Sequence, residues 1–122
     1  MAIITFLGGG KMARALIEGL KSISHEGVIQ VIEPEKKIRE NLKIDFDVTI
    51  SEETIEKQYE HLIPTSDILI LSIKPQTFRK ISREFKNHIS NKQTIISIMA
   101  GISIPTITDY INSKKIIRIM PN

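Results

Sequence analysis

The sequence predicts a doubly wound α/β fold: a parallel sheet of strand order 3-2-1-4-5-6 with helices on both faces. Three observations lead there. Short apolar runs alternate with amphipathic helical patterns along the 122 residues. Most of those runs are apolar at both alternating positions, as strands buried on two faces are. The first run, Ile3-Ile4-Thr5-Phe6-Leu7, passes straight into Gly8-Gly9-Gly10 and then into a helical pattern, which reads as strand, tight turn and helix N-terminus.

That opening carries the functional signal. Gly8, Gly10 and Ala13 occupy the three small positions of the dinucleotide fingerprint of a Rossmann-type fold, with alanine in the last. The first glycine permits the turn, the second lets a pyrophosphate reach the backbone, and the third small residue lets helix and strand pack closely. Free N–H groups of the first helical turn and the helix dipole both favour an anion there. The spacing alone is a weak signal; its position directly after a strand strengthens it. A ligand-free glycine turn is the plain alternative.

Strand one is expected over Ala2 to Leu7. The first helix carries Met12, Leu16, Leu20 and Ile23 on one stripe, with Ala15 and Gly19 alongside. Lys11 places a cation in a first helical turn, against the dipole, a conflict that a bound pyrophosphate removes; a solvated lysine is the alternative. Ser24 to Gly27 reads as a turn and Val28 to Ile32 as strand two. Glu33 follows about twenty residues after Ala13, where a carboxylate in this fold meets the adenosine ribose. It would accept from a ribose diol and repel a 2′-phosphate, whereas Lys36 and Lys37 would attract that phosphate, so NAD and NADP both stay open.

Pro34 fits the first turn of a short helix carrying Ile38 and Leu42. Phe46 to Ile50 reads as strand three. Ser51 is the expected cap of a helix over Glu52 to Leu62, with Ile55, Tyr59 and Leu62 on its stripe. Asp67 to Ile73 is the most apolar run and reads as a central strand, ending at Lys74. Ligands of open α/β sheets bind at such carboxyl ends. Pro75 opens a helix with Phe78, Ile81, Phe85 and Ile89 on its stripe. Gln93 to Met99 is strand five, ending in the small residues Ala100 and Gly101. Ile104 to Ile111 reads as a helix and Ile116 to Met120 as strand six.

Composition narrows the classes. There is no cysteine, so neither disulfides nor thiolate metal sites are possible, and His25, His61 and His88 are scattered too widely to ligate a metal. Seventeen basic against fourteen acidic residues leave a net charge of only +3, with signs interspersed and aromatics at 5%. Nucleic-acid binding has little support. No apolar run has the length of a membrane span, and no secretory leader is evident, so a cytoplasmic location is expected.

Four motifs in order resemble pyrroline-5-carboxylate reductases: Phe6 to Ala13 with Ala15 to Gly19, Lys74-Pro75-Gln76, Ser97 to Ser103, and Arg118 to Asn122. The resemblance implies reduction of Δ1-pyrroline-5-carboxylate to L-proline with NADP or NAD as cofactor, in proline biosynthesis. It implies that Leu7, Gly8, Gly9, Gly10, Lys11 and Met12 hold the pyrophosphate and that Glu33 lies at the adenosine ribose. Ser72, Ile73, Lys74 and Pro75, with Met99, Ala100 and Gly101, would flank the ribose and nicotinamide, and Met120, Pro121 and Asn122 would reach toward the nicotinamide and the reaction centre. No catalytic residue is assigned.

The chain departs from the pattern at Lys11, where the family has a polar uncharged residue, and in the segment Ser51 to Ser66, which is longer than usual. The family also continues into a helical domain that builds the dimer and completes the substrate pocket. Residues 1–122 would then be the cofactor-binding domain of a homo-oligomeric enzyme, with little activity alone. The alternatives are another NAD(P)-dependent dehydrogenase with a similar N-terminal half, such as a β-hydroxyacid dehydrogenase or a coenzyme F420-dependent NADP reductase, or a non-enzymatic dinucleotide-binding module. Lys74-Pro75-Gln76 with Met120-Pro121-Asn122 speaks against the two dehydrogenases.

Overall fold

The structure, a computed structural model, describes residues 2–23 and 27–120. The predicted turn at Ser24 to Gly27 lies outside these residues except for Gly27, and Pro121 and Asn122 lie outside them altogether. The elements run β1 (Ile3–Leu7), α1 (Lys11–Ser22), β2 (Val28–Ile32), α2 (Lys36–Asp45), β3 (Thr49–Ile50), α3 (Ile55–Leu62), β4 (Ile68–Leu71), α4 (Pro75–Phe85), β5 (Thr94–Ser97), α5 (Ile104–Ile111) and β6 (Ile116–Arg118), with a 3-10 turn at Lys86–His88. The sheet has the predicted order β3-β2-β1-β4-β5-β6, and its pairs are parallel.

Strand alternation divides the core into two layers. Ile4, Phe6, Ile29, Val31 and Ile70 face α1 and α2, where Ala13, Ile17 and Leu42 meet them. Leu7, Ile32, Leu69, Leu71 and Ile95 face the other way, toward Tyr59, Ile63, Phe78, Phe85, Ile107 and Ile111 from the α3 to α5 side. Phe78 and Phe85 are fully buried, each stabilising the fold by about 1.5–3 kcal/mol relative to exposure. Tilted contacts link Phe85 to Tyr59 and to Phe78, with ring centroids 5.8 and 6.2 Å apart.

Several local expectations are corrected. Helix α1 buries Ala13 and Ile17, with Leu16 and Leu20 packed beside them, a stripe at i, i+3, i+4 and i+7; Met12 and Ile23, assigned to that stripe, are exposed. Pro34 precedes α2, whose N-cap is Glu35. Strand three is only two residues long, because Phe46 closes α2 by donating its N–H to Leu42 O. Its ring instead lies under the Arg14 guanidinium, 5.0 Å from centroid to Cζ. Thr54, not Ser51, caps α3, accepting from Lys57 N–H at 3.4 Å, and Ser51 takes the Glu53 N–H instead. Ile89 lies past the end of α4, beyond the 3-10 turn, yet still packs on the core.

No helix among the described residues is long and apolar enough to cross a membrane. No group of three or more His, Asp or Glu among them could hold a metal ion.

Candidate functional site

The order of the sheet reverses between β1 and β4, where Leu7 pairs with Leu71. The helices that follow β1 and β4 pack on opposite faces of the sheet, so the carboxyl ends of these two strands border a crevice, the usual ligand position in open α/β sheets. A cleft of about 510 Å³ opens there. Its floor is Leu7, Gly8 and Gly10 from β1 and the glycine turn. One wall comes from Ile32 and Glu33 at the tip of β2, with Ile38 of α2; the other is Ser72, Ile73 and Lys74 after β4, with Thr77 and Ile81 of α4.

Each glycine of the turn has its own reason. Gly8 has φ +104, a left-handed conformation, and a Cβ on it would lie 2.7 Å from Ile73 Cγ2. At Gly9 a Cβ would lie 2.8 Å from Leu42 Cδ1 and 3.2 Å from Val31 Cγ1, so this glycine lets α2 close on the turn. Gly10 would meet nothing within 4 Å, and it faces the cleft. It is also the N-cap of α1 with no side-chain cap, and the first turn of α1 holds no acidic residue. The first helical bond is Arg14 N–H to Gly10 O at 2.9 Å, so the N–H groups of Lys11, Met12 and Ala13 have no helical acceptor. Bare backbone donors, the positive end of a helix dipole and open space where a side chain would stand together fit a phosphate-bearing ligand.

Glu33 is held at every polar group. Its carboxylate accepts from Gly9 N–H and from Glu35 N–H, both at 2.9 Å. Its own N–H donates to Gln58 Oε1 at 3.0 Å, and its carbonyl accepts from Arg39 at 3.0 Å. Gln58 is fully buried and anchors α3 to this corner through that bond, while its Nε2 donates to Glu53 O just ahead of α3. Ser72 locks the opposite wall: its hydroxyl donates to the carbonyls of Gly8 (2.8 Å) and Leu7 (3.0 Å).

The cleft thus brings together Leu7, Gly8, Gly10, Glu33, Ser72, Ile73 and Lys74 of the residues named from sequence. Gly9 and Lys11 border a smaller depression of about 220 Å³ on the α2 side of the turn, with Arg14 and Asn41. Met12 is exposed and Pro75 is the first residue of α4; neither lines the cleft. The Met99 side chain is buried in the core beside Ile95, while Ala100 and Gly101, the latter at φ +74, form an exposed turn after β5 outside the cleft. Asn122 lies outside the described residues.

Sequence reasoning missed the far wall, where Ile55 and Tyr59 of α3 and Glu84 of α4 line the cleft. Burial pushes the Tyr59 hydroxyl up to about 12, and the nearby carboxylates of Glu84, Glu56 and Glu33 add to the shift. Away from the cleft, His61 pairs with Glu53 at 2.8 Å, and that hydrogen bond holds the Glu53 carboxyl below its ordinary value.

The chain has relatives among known proteins. Residues 3–101 match the family described as NADP oxidoreductase, coenzyme F420-dependent. That description is one of the alternatives set aside on sequence; the matched span contains the glycine turn and Lys74-Pro75-Gln76 but stops short of Met120. A curated relative, the pyrroline-5-carboxylate reductase of Methanosarcina acetivorans, is 32% identical over 98% of this chain and 43% of its own length. The structure of a pyrroline-5-carboxylate reductase from Coxiella burnetii superposes with a TM-score of 0.86 at 27% identity, over 99% of this chain and 44% of that one. The enzyme from Streptococcus pyogenes gives 0.76 at 28%, over 99% and 43%. The chain spans less than half the length of these relatives. By the match across most of its length, the chain belongs to the family of NADP oxidoreductases described as coenzyme F420-dependent.

Proposed function

We propose that this chain binds a nicotinamide dinucleotide and is the cofactor-binding part of a reductase that converts Δ1-pyrroline-5-carboxylate to L-proline. The observation that carries the reading is the uncapped first turn of α1, which opens past the bare Cα of Gly10 onto the cleft at the reversal of strand order. The names of the relatives support the choice of substrate.

The chemistry that the cofactor supplies when bound is donation of a hydride to the imine carbon. The chain's own residues bind and orient. The amides of Lys11, Met12 and Ala13 hold the pyrophosphate, with Lys11 Nζ free to approach it from solvent. Glu33 keeps one lone pair on each oxygen for the hydroxyls of the adenosine ribose. Ser72 holds the turn in shape, and Ile73, Lys74 and Thr77 border the nicotinamide half. None of the residues lining the cleft is needed as a general acid. The remaining substrate contacts, and assembly into a homo-oligomer, come from sequence beyond this domain, and the enzyme works in the cytoplasm.

Melting curves test the reading. Saturating NADH or NADPH should raise the melting temperature of the 122-residue chain by mass action, while turnover of pyrroline-5-carboxylate by the chain alone should be close to none. No shift with either nucleotide, or full turnover by the chain alone, contradicts it.

A further inference from the structure

The adenosine end of the cleft presents a carboxylate locked in place, and no basic side chain of β2 or α2 lines the cleft beside it. Glu33, Glu35 and Glu84 line the cleft, and Lys74, at the opposite wall after β4, is the one basic residue among its lining residues. Glu33 is 7% exposed, and swinging it aside would leave the buried Gly9 N–H without an acceptor, at a cost in free energy. The basic residues nearest in sequence, Lys36, Lys37 and Arg39, do not line the cleft. Arg39 is buried and donates to the carbonyls of Glu33 (3.0 Å) and Pro34 (2.8 Å), with Glu52 at 3.4 Å. Lys36 extends toward Glu40 at 3.9 Å, and neither it nor Lys37 lines the cleft.

A nucleotide whose adenosine ribose carries free 2′- and 3′-hydroxyls meets acceptors there. One bearing a 2′-phosphate brings about two further negative charges against a carboxylate locked in place. Resting on the reading of this cleft as a dinucleotide site, we infer that the chain selects the unphosphorylated dinucleotide, NAD(H), over NADP(H), and that Glu33 is the residue that sets this choice. Gly9 acts with it, by pinning the carboxylate in the position where it excludes phosphate.

Equilibrium titration of the chain with NADH and NADPH in parallel tests the inference. NADH should bind at least tenfold more tightly. Glu33→Gln removes the charge and keeps one acceptor oxygen, so it should bring the two affinities within about threefold, chiefly by tightening NADPH. ADP-ribose and its 2′-phosphate, titrated into the unaltered chain, should repeat the tenfold preference without the nicotinamide half, and this arm needs no variant to fold. Equal affinities, or a preference for NADPH, overturn the inference while leaving the dinucleotide reading intact. An unchanged ratio in a Glu33→Gln chain of native melting temperature overturns the role of Glu33. Failure to bind any of the four ligands removes the dinucleotide reading itself, and the inference with it.

Discussion

The backbone N–H of Gly9 donates to Oε1 of Glu33 at 2.9 Å, tying the middle of the glycine turn to the tip of β2. Two adjacent strands thereby fix each other's carboxyl ends. The same carboxylate then accepts from Glu35 N–H, which shapes the entry into α2. The phosphate side and the ribose side of the cleft are one hydrogen-bonded unit.

Removing that acceptor should therefore loosen the turn. Glu33→Ala leaves a buried N–H unpaired and should cost about 1–3 kcal/mol. Hydrogen exchange gives a local readout: the Gly9 amide, protected in the unaltered chain, should exchange faster in the variant. Unchanged protection at Gly9 would count against the link.

The neighbouring glycines should respond in opposite ways. Gly8→Ala forces a Cβ toward Ile73 at a positive φ and should destabilise the chain by about 1–3 kcal/mol. Gly10→Val adds a side chain into open space, so urea denaturation should show only the loss of about 1 kcal/mol that a poorer N-cap brings. Its nucleotide affinity should nevertheless fall at least tenfold, because the added atoms stand where the phosphates belong. A Gly10→Val chain that binds normally would place the ligand elsewhere.

Tyr59 makes the stability of the chain fall as pH rises through the alkaline range. In the unfolded chain its hydroxyl loses its proton near the ordinary value of 10.0, and in the fold only at about 12. Below pH 10 both states are protonated and this contribution to stability is complete. From pH 10 to 12 the unfolded state alone releases the proton, so stability falls as pH rises. Tyr59→Phe has no such proton, and the difference in unfolding free energy between the two chains should shrink or invert across that window. A difference that stays constant from pH 9 to 12 would contradict the assignment.

Phe85 supports Tyr59 from behind, fully buried with ring centroids 5.8 Å apart. Phe85→Ala should cost about 3–5 kcal/mol by chemical denaturation. A loss under 1 kcal/mol would mean that the layer of α3 and α4 repacks freely.

The sheet order, β2 and α5 were legible in the sequence because each rests on local signals: apolar runs, a glycine turn, and Ser103-Ile104-Pro105 opening a helix. The position of Met99 was legible too, though read otherwise: strand alternation puts it on the face of Ile95 and Ser97, and hence in the core. Glu-Pro-Glu at 33–35 held a hint of the turn in which Glu33 binds the N–H two residues on. The wall made by Ile55 and Tyr59 had no local signature. It depends on how α3 lies against β2, and buried Gln58 fixes that through Glu33 N–H, a contact between residues 25 apart in sequence.

A nitrogen-15 correlation spectrum of the 122-residue chain, titrated with ADP-ribose, tests phosphate binding at the glycine turn, because it reads the amides there one by one. The largest shifts should fall on Gly10, Lys11, Met12 and Ala13, with smaller ones at Glu33 and Ser72. Shifts centred on other residues, or none at saturating ligand, would contradict it.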